Sequence, residues 1–251
     1  MRPLRPPIFA AMLGSLVSPL VLAQQDQFPL PPKDWPEPVM DRPVIPFLLI
    51  DRLEYRWQSG EDLRVWDVQG WVGGDYHKLW VKSEGEDVPG GRTEEASLEA
   101  LYARLISPFW YLQLGVQEEF RPSPSRTALA VGVQGLAPYW FEVEATAYLN
   151  EEGTLTTRIE AEYDILLTQR LILQPRFETG FATSGERERG IGRGFDTVEL
   201  GIRLRYEITR HFAPYIGISW SRKLGETADF ARHQDEDVSE TALVAGVRMW
   251  F

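Results

Sequence analysis

The chain has 251 residues and no cysteine, and it carries 26 Lys+Arg against 37 Asp+Glu, a formal net charge of −11. The missing thiols exclude a disulfide scaffold, thiolate metal centres and cysteine catalysis. The acidic balance argues against nucleic acid as a partner, which needs clustered Lys and Arg to neutralise phosphates.

Arg2 and Arg5 precede an apolar run from Ile8 to Leu22, and Val21-Leu22-Ala23 stands before Gln24-Gln25. A basic start, a short apolar stretch and small residues at its end are the marks of a secretory signal. Residues 1–23 are therefore expected to be a cleaved signal peptide, with Gly14 and Pro19 breaking a run already short for a membrane span. Eleven of the 18 prolines fall in the first 46 residues. Proline fixes φ and removes a donor, so residues 24–46 read as an extended Pro-rich segment rather than a helix or a central strand.

From residue 47 onward the recurrent signal is period two. Val198-Glu199-Leu200-Gly201-Ile202-Arg203-Leu204-Arg205-Tyr206 alternates apolar and polar without a break, as does Phe141-Glu142-Val143-Glu144-Ala145-Thr146. A helix, with its period of 3.6, cannot segregate such residues, but a strand does. Twelve segments follow in order: Leu48–Trp57, Asp62–Gly73, Tyr76–Glu84, Glu95–Ile106, Phe109–Glu118, Thr127–Leu136, Tyr139–Leu149, Thr154–Leu166, Gln169–Ala182, Thr197–Thr209, Phe212–Arg222 and Glu240–Phe251. Most run longer than the five or six residues usual in soluble proteins, and about ten tilted residues cross a bilayer.

The connections sort into two kinds. Gly74-Asp75, Ser107-Pro108, Ala137-Pro138, Leu167-Thr168 and Arg210-His211 are tight, whereas Gly85–Thr93, Glu119–Arg126, Thr183–Asp196 and Lys223–Ser239 are long and polar. Tight turns at one end, long loops at the other and an even strand count predict an all-β fold: a transmembrane antiparallel barrel of about 12 strands over residues 47–251, with short periplasmic turns and longer extracellular loops. The barrel explains how a mean hydropathy of −0.26 belongs to a membrane protein, because charge is hidden inside. Residues 24–46 then lie in the periplasm, and outer-membrane lipid is the first partner. The last strand closes on Phe251, which resembles the terminal aromatic recognised by the outer-membrane assembly machinery. Trp80, Trp110, Tyr139, Phe181, Trp220 and Trp250 stand near strand ends, where aromatic girdles are expected.

The face opposite the apolar one is assigned to the lumen. It includes Arg52, Glu54, Arg56, Asp67, Gln69, Lys82, Arg104, Gln113, Gln117, Glu142, Glu144, Arg158, Glu160, Glu162, Gln174, Arg176, Glu178, Glu199, Arg203, Arg205, Glu207 and Arg248. Mixed charges on neighbouring strands are expected to pair across the lumen and fill it, which disfavours a wide pore. Catalysis has little support. The three histidines, His77, His211 and His233, fall at loop or turn positions, and neither a G-x-S-x-G elbow nor an H-E-x-x-H motif occurs. Gly190-Ile191-Gly192-Arg193-Gly194 reads as a flexible loop, because no helix follows to make it a phosphate cradle.

Several stretches resemble the outer-membrane copper resistance protein B family of Gram-negative bacteria. They are Gly70-Trp71-Val72-Gly73-Gly74-Asp75, Lys78-Leu79-Trp80-Val81-Lys82, Gly132-Val133-Gln134-Gly135-Leu136-Ala137-Pro138-Tyr139-Trp140-Phe141-Glu142-Val143-Glu144-Ala145, Glu160-Ala161-Glu162-Tyr163-Asp164 and Arg203-Leu204-Arg205-Tyr206-Glu207-Ile208. The resemblance runs from about Val39 to Phe251. It implies an outer-membrane barrel of copper tolerance that exports or sequesters copper ions together with a periplasmic multicopper oxidase. Many members carry a His/Met-rich segment ahead of the barrel, whereas between Gln24 and Pro46 this chain offers only Met40. The candidate copper ligands are Met40 and the inward carboxylates Glu142, Glu144, Glu160 and Glu162. The alternatives left open are a structural barrel that docks a periplasmic partner and a generic small-solute channel.

Overall fold

The computed structural model describes residues 43–251. The signal-peptide reading, Met40 and most of the Pro-rich segment lie outside them. The strands are β1 (Ile45–Trp57), β2 (Leu63–Gly73), β3 (His77–Asp87), β4 (Thr93–Ser107), β5 (Trp110–Arg121), β6 (Arg126–Ala137), β7 (Phe141–Asn150), β8 (Leu155–Glu162), β9 (Ile165–Leu166), β10 (Leu171–Ala182), β11 (Gly194–Tyr206), β12 (Phe212–Lys223) and β13 (Ser239–Trp250). β8 and the two-residue β9 both pair with β10 and form a single stave, so twelve antiparallel staves close through β13 and β1. At the seam, Leu48 and Phe251 exchange two backbone hydrogen bonds of 3.0 and 2.9 Å. A closed sheet has no edge, so every ladder group within a bilayer finds a partner. Among the described residues no helix is long and apolar enough to cross a membrane; the strands do the crossing.

The outer face is a belt of exposed aliphatic side chains. Ile202 on β11 stands opposite Ile218 on β12, which stands opposite Leu243 on β13, and Leu114 on β5 faces Val131 on β6. Apolar residues exposed in such rows, around a polar and buried interior, are matched to lipid.

The short-turn end is as expected, with two to five residues in each connection. The other end differs. β3, β4, β5 and β6 extend beyond their expected ends, which shortens the expected loops Gly85–Thr93 and Glu119–Arg126 to residues 88–92 and 122–125. Only the connections 183–193 and 224–238 stay long, and the second carries a helix that the strand pattern did not reveal, α1 (Gly225–His233). Glu226 in its first turn and Arg232 with His233 in its last suit the helix dipole. Ala228 and Ala231 are buried.

This helix explains the glycine-rich loop. Gly192 donates its N–H to Thr227 Oγ1 (2.8 Å), and Arg193 donates to Glu226 Oε2 (3.0 Å). A β-carbon on Gly192 would lie 2.3 Å from the Thr227 nitrogen, so only glycine allows the approach. The loop is thus a docking strap for α1, not a flexible span. Gly192→Val is expected to detach α1 from the strap, read as proteolytic nicking within 224–238 that leaves the barrel core intact.

Three face assignments change. Arg104 lies on the exposed outer face of β4 with Tyr102 and Ile106, while Leu101 and Ala103 are buried in the lumen. Both faces of Leu98–Ile106 are largely apolar, so alternation does not say which meets lipid. Trp80 is also inward: it is buried among Leu101, Ala103, Ala130 and Tyr148, and its Nε1 donates to Gln69 (3.2 Å). Trp250 shares the inward parity of Val244 and Arg248 and packs on His211 and Phe47. These two indoles fill the short-turn end of the lumen instead of joining the lipid girdle.

Candidate functional site: the charged lumen

Strand register sets the site. On β7, β8, β10 and β11 the pairs Glu144–Glu160, Glu160–Glu178 and Glu178–Glu199 are directly opposite, so four glutamates stand in one row across four adjacent staves. One rung nearer the short turns, Glu142 stands opposite Glu162. Like charges facing each other across a ladder destabilise a sheet. The row is therefore tolerable only because cations are set among it.

Arg176 is the chief of these. Its side chain is 1% exposed; its Nε donates to Glu160 (2.9 Å) and its Nη2 reaches Glu160 (2.6 Å) and Glu178 (2.7 Å). Glu162 lies at 3.1 Å and Glu199 at 3.7 Å. Arg158 on β8 joins Glu178 on its own wall to Glu84 on β3, both at 2.5 Å. Lys82 on β3 pairs with Glu144 on β7. On the remaining wall Arg56 bonds Glu54 (2.9 Å) and Glu199 (3.0 Å), Arg203 bonds Glu54 (2.8 Å), and Arg52 bonds Asp67 (3.1 Å). The Lys82–Glu144 and Arg158–Glu84 pairs reach across the barrel between β3 and the β7–β8 wall.

Above this layer, toward the long loops, lies a cavity of about 790 Å³ lined by Arg52, Glu95, Arg158, Glu178, Asp196 and Glu199, among others. Its roof includes the 183–193 loop. Glu186 in that loop accepts from Arg126 and from Asn150 Nδ2 (3.1 Å), and the buried Arg189 pairs with Glu119. The loop is drawn over the mouth by side chains of β5, β6 and β7.

Of the four carboxylates named as candidate ligands, three are held by cations: Glu144 by Lys82, and Glu160 and Glu162 by Arg176. Glu142 is exposed to the short-turn mouth and makes no ion pair among the described residues. Register brings all four together. Met40 lies outside the described residues.

Alternation missed several lumen groups. Glu99, buried and bonded by Gln117 (3.0 Å) and the Tyr148 hydroxyl (2.7 Å), shares the parity of Leu101, which reads as a lipid-facing residue. Asp51, bonded to Arg248 at 2.5 Å, lies within a register shift of the β1–β2 pairing between Ile50 and Arg52 that puts consecutive residues in the lumen, so period two breaks there. Glu84 could have been found from the parity it shares with Lys82.

Residues 44–251 match the family model described as Copper resistance protein B precursor (CopB). The chain belongs to the copper resistance protein B family. It is 45% identical over 215 residues to a "Copper resistance protein B homolog" of Pseudomonas syringae pv. tomato, and 44% identical over 213 residues to a "Copper resistance protein B" of Escherichia coli. Each alignment covers 85% of this chain and 72% of the relative. Among solved structures the NanC porin superposes with a TM-score of 0.54 at 13% identity, covering 80% of this chain and 98% of that one, a likeness of fold. The protein is thus an outer-membrane copper-resistance barrel in contact with membrane lipid.

For a copper-resistance protein the donor chemistry of the lumen is distinctive. Imidazole and thioether are the copper ligands of choice. Yet His77 and His211 sit at the short-turn rim, His233 ends α1, and Met249 alternates away from Arg248 and Trp250. Among the described residues no group of three or more His, Cys, Asp or Glu has metal-binding geometry.

Proposed function

We propose that the barrel serves copper tolerance by drawing copper cations into its acid-rich lumen, where they are bound or passed across the outer membrane, in concert with a periplasmic multicopper oxidase. The observation that carries this reading is the row Glu144–Glu160–Glu178–Glu199 with the unpaired Glu142 below it. The protein's own cations offset the repulsion within the row, and Glu142 is the candidate carboxylate left open to an incoming cation. The family supplies copper as the cargo. The role is one of binding and passage, without catalysis. Residues 1–23 act as the cleaved signal, the Pro-rich segment lies in the periplasm, and the assembly machinery reads Phe251.

The test is isothermal titration of the full, detergent-solubilised chain with Cu(II), then Cu(I) under reductant, beside Met40→Ala and a Glu142→Gln/Glu144→Gln pair. Binding that weakens tenfold or more in the carboxylate pair, while Met40→Ala binds as wild type, places the ion in the lumen. Loss in Met40→Ala alone moves capture to the N-terminal segment.

A second reading has its own support. Because three of the four candidate carboxylates are already saturated by Lys82 and Arg176, the lumen also fits a structural barrel that docks a periplasmic partner. No copper binding to the folded wild type overturns the first reading in favour of this one.

A further inference from the structure

The outward turn of Arg104 leaves a guanidinium on the lipid face. Its cross-strand partners are His77 on β3 and Leu112 on β5. The same patch holds Leu79, Tyr102, Ile106 and Leu114, all exposed. Arg104 itself is exposed and makes no ion pair or side-chain hydrogen bond among the described residues. An unpaired guanidinium amid aliphatic side chains at membrane depth calls for an anion.

Its height identifies the source. Arg104 stands three residues before the end of β4 at Ser107, about 10 Å along the strand and less along the tilted barrel's axis. The exposed rings of Phe109 and Tyr139 occupy the turns at this rim. A snorkelling arginine there reaches headgroup level. Short turns face the periplasm, so this headgroup layer belongs to the phospholipid leaflet.

His77 supplies a second donor. Its Nδ1 lies 2.5 Å from the Tyr102 hydroxyl, and the two rings stack at 5.8 Å and 18°. When the phenol donates to Nδ1, the tautomer that accepts this bond carries its proton on Nε2, which bonds no side chain among the described residues and can donate. The arginine fork and this N–H together match the oxygens of a phosphodiester. Toward the membrane centre the exposed Leu79, Leu114, Val81 and Val116 continue from the site and offer a track for acyl chains.

We propose that Arg104 and His77, on the outer face of β3 and β4 at the short-turn rim, bind the phosphate of one phospholipid headgroup. The proposal is independent of how the lumen handles copper. It is tested by native mass spectrometry of the full chain in detergent, titrated with phosphatidylglycerol. Wild type is expected to retain one lipid, Arg104→Gln to bind at least tenfold more weakly, and Arg104→Lys to fall between, since an ammonium lacks the fork. Diacylglycerol, which has the chains without phosphate, should not be retained. Excess inorganic phosphate should not displace the lipid; if it does, a free anion rather than a lipid is the ligand and the assignment fails. Arg170→Gln removes an equal charge from another exposed arginine of the same rim. An equal loss in that variant would reduce the effect to net charge and overturn the proposal. The folded, unboiled gel mobility of each variant confirms that the barrel is intact.

Discussion

Arg176→Met is expected to give a barrel that folds poorly at low salt and conducts cations once folded. The guanidinium lies within 2.6–3.7 Å of Glu160, Glu162, Glu178 and Glu199. Without it the row of opposed glutamates keeps only Lys82 at Glu144, Arg158 at Glu178 and Arg56 at Glu199. Removing one partner from a buried ion-pair network costs about 3–5 kcal/mol, and here the orphaned groups also repel one another. Repulsion through a wet lumen is screened by salt, since the Debye length shrinks from about 10 Å at 0.1 M to about 3 Å at 1 M. The urea midpoint of the variant should therefore fall well below wild type in dilute buffer and recover much of the gap in concentrated salt. In planar bilayers its conductance should rise with a preference for K⁺ over Cl⁻. Arg176→Lys should restore stability only in part, because one ammonium cannot hold several carboxylates at once. A midpoint and conductance equal to wild type would remove Arg176 from its place as keystone.

The barrel was legible because its physics is strictly periodic. Phe141–Ala147 and Val198–Tyr206 alternate without interruption, and turn signals separate the segments, so strand number and closure follow from the chain. What escaped were the places where both faces of a strand carry the same chemistry. Leu98–Ile106 has apolar residues at nearly every position, and so Arg104 and Glu99 were placed or missed by parity alone. Trp80 and Trp250 are misleading for a related reason: an aromatic near a strand end serves a lipid girdle or a lumen plug equally well, and only the packing of Trp80 on Gln69 and Tyr148 decides. Helix α1 was hidden because the loop 224–238 is polar and the helix only nine residues long, too short to form on its own propensity without the strap around Gly192.

The candidate site was legible as a set of residues and not as a pattern of pairs. Alternation put Glu142, Glu144, Glu160, Glu162, Glu178 and Glu199 inside, but register, which a one-residue slip would alter wholly, is what lines four of them up. The cross-lumen partners, Lys82 with Glu144 and Arg158 with Glu84, are 62 and 74 residues apart in the chain. Curvature of the closed sheet brings them together, and no local signal encodes that.

The second large effect is expected at Glu54, whose side chain is fully buried on the wall beside the closing seam. Its Oε1 accepts from Arg56 (2.9 Å) and Arg203 (3.2 Å), and its Oε2 accepts from Arg203 (2.8 Å), so one carboxylate braces β1 to β11 across the β12–β13 hairpin. Arg56 retains Glu199 at 3.0 Å if Glu54 is lost. Arg203 has no other ion-pair partner among the described residues, and its Nη1 is already buried without a bond. Glu54→Ala should then cost about 3–5 kcal/mol, seen as a large drop in the urea midpoint, while Glu54→Gln, which keeps one acceptor oxygen, should cost less. The decisive comparison is Glu54→Leu with Arg203→Met in the same chain. If the penalty comes from an orphaned guanidinium, removing both charges together should recover most of the stability that either single change forfeits. A double variant as unstable as the sum of the singles would mean that packing at the seam, rather than charge pairing, is what Glu54 supplies.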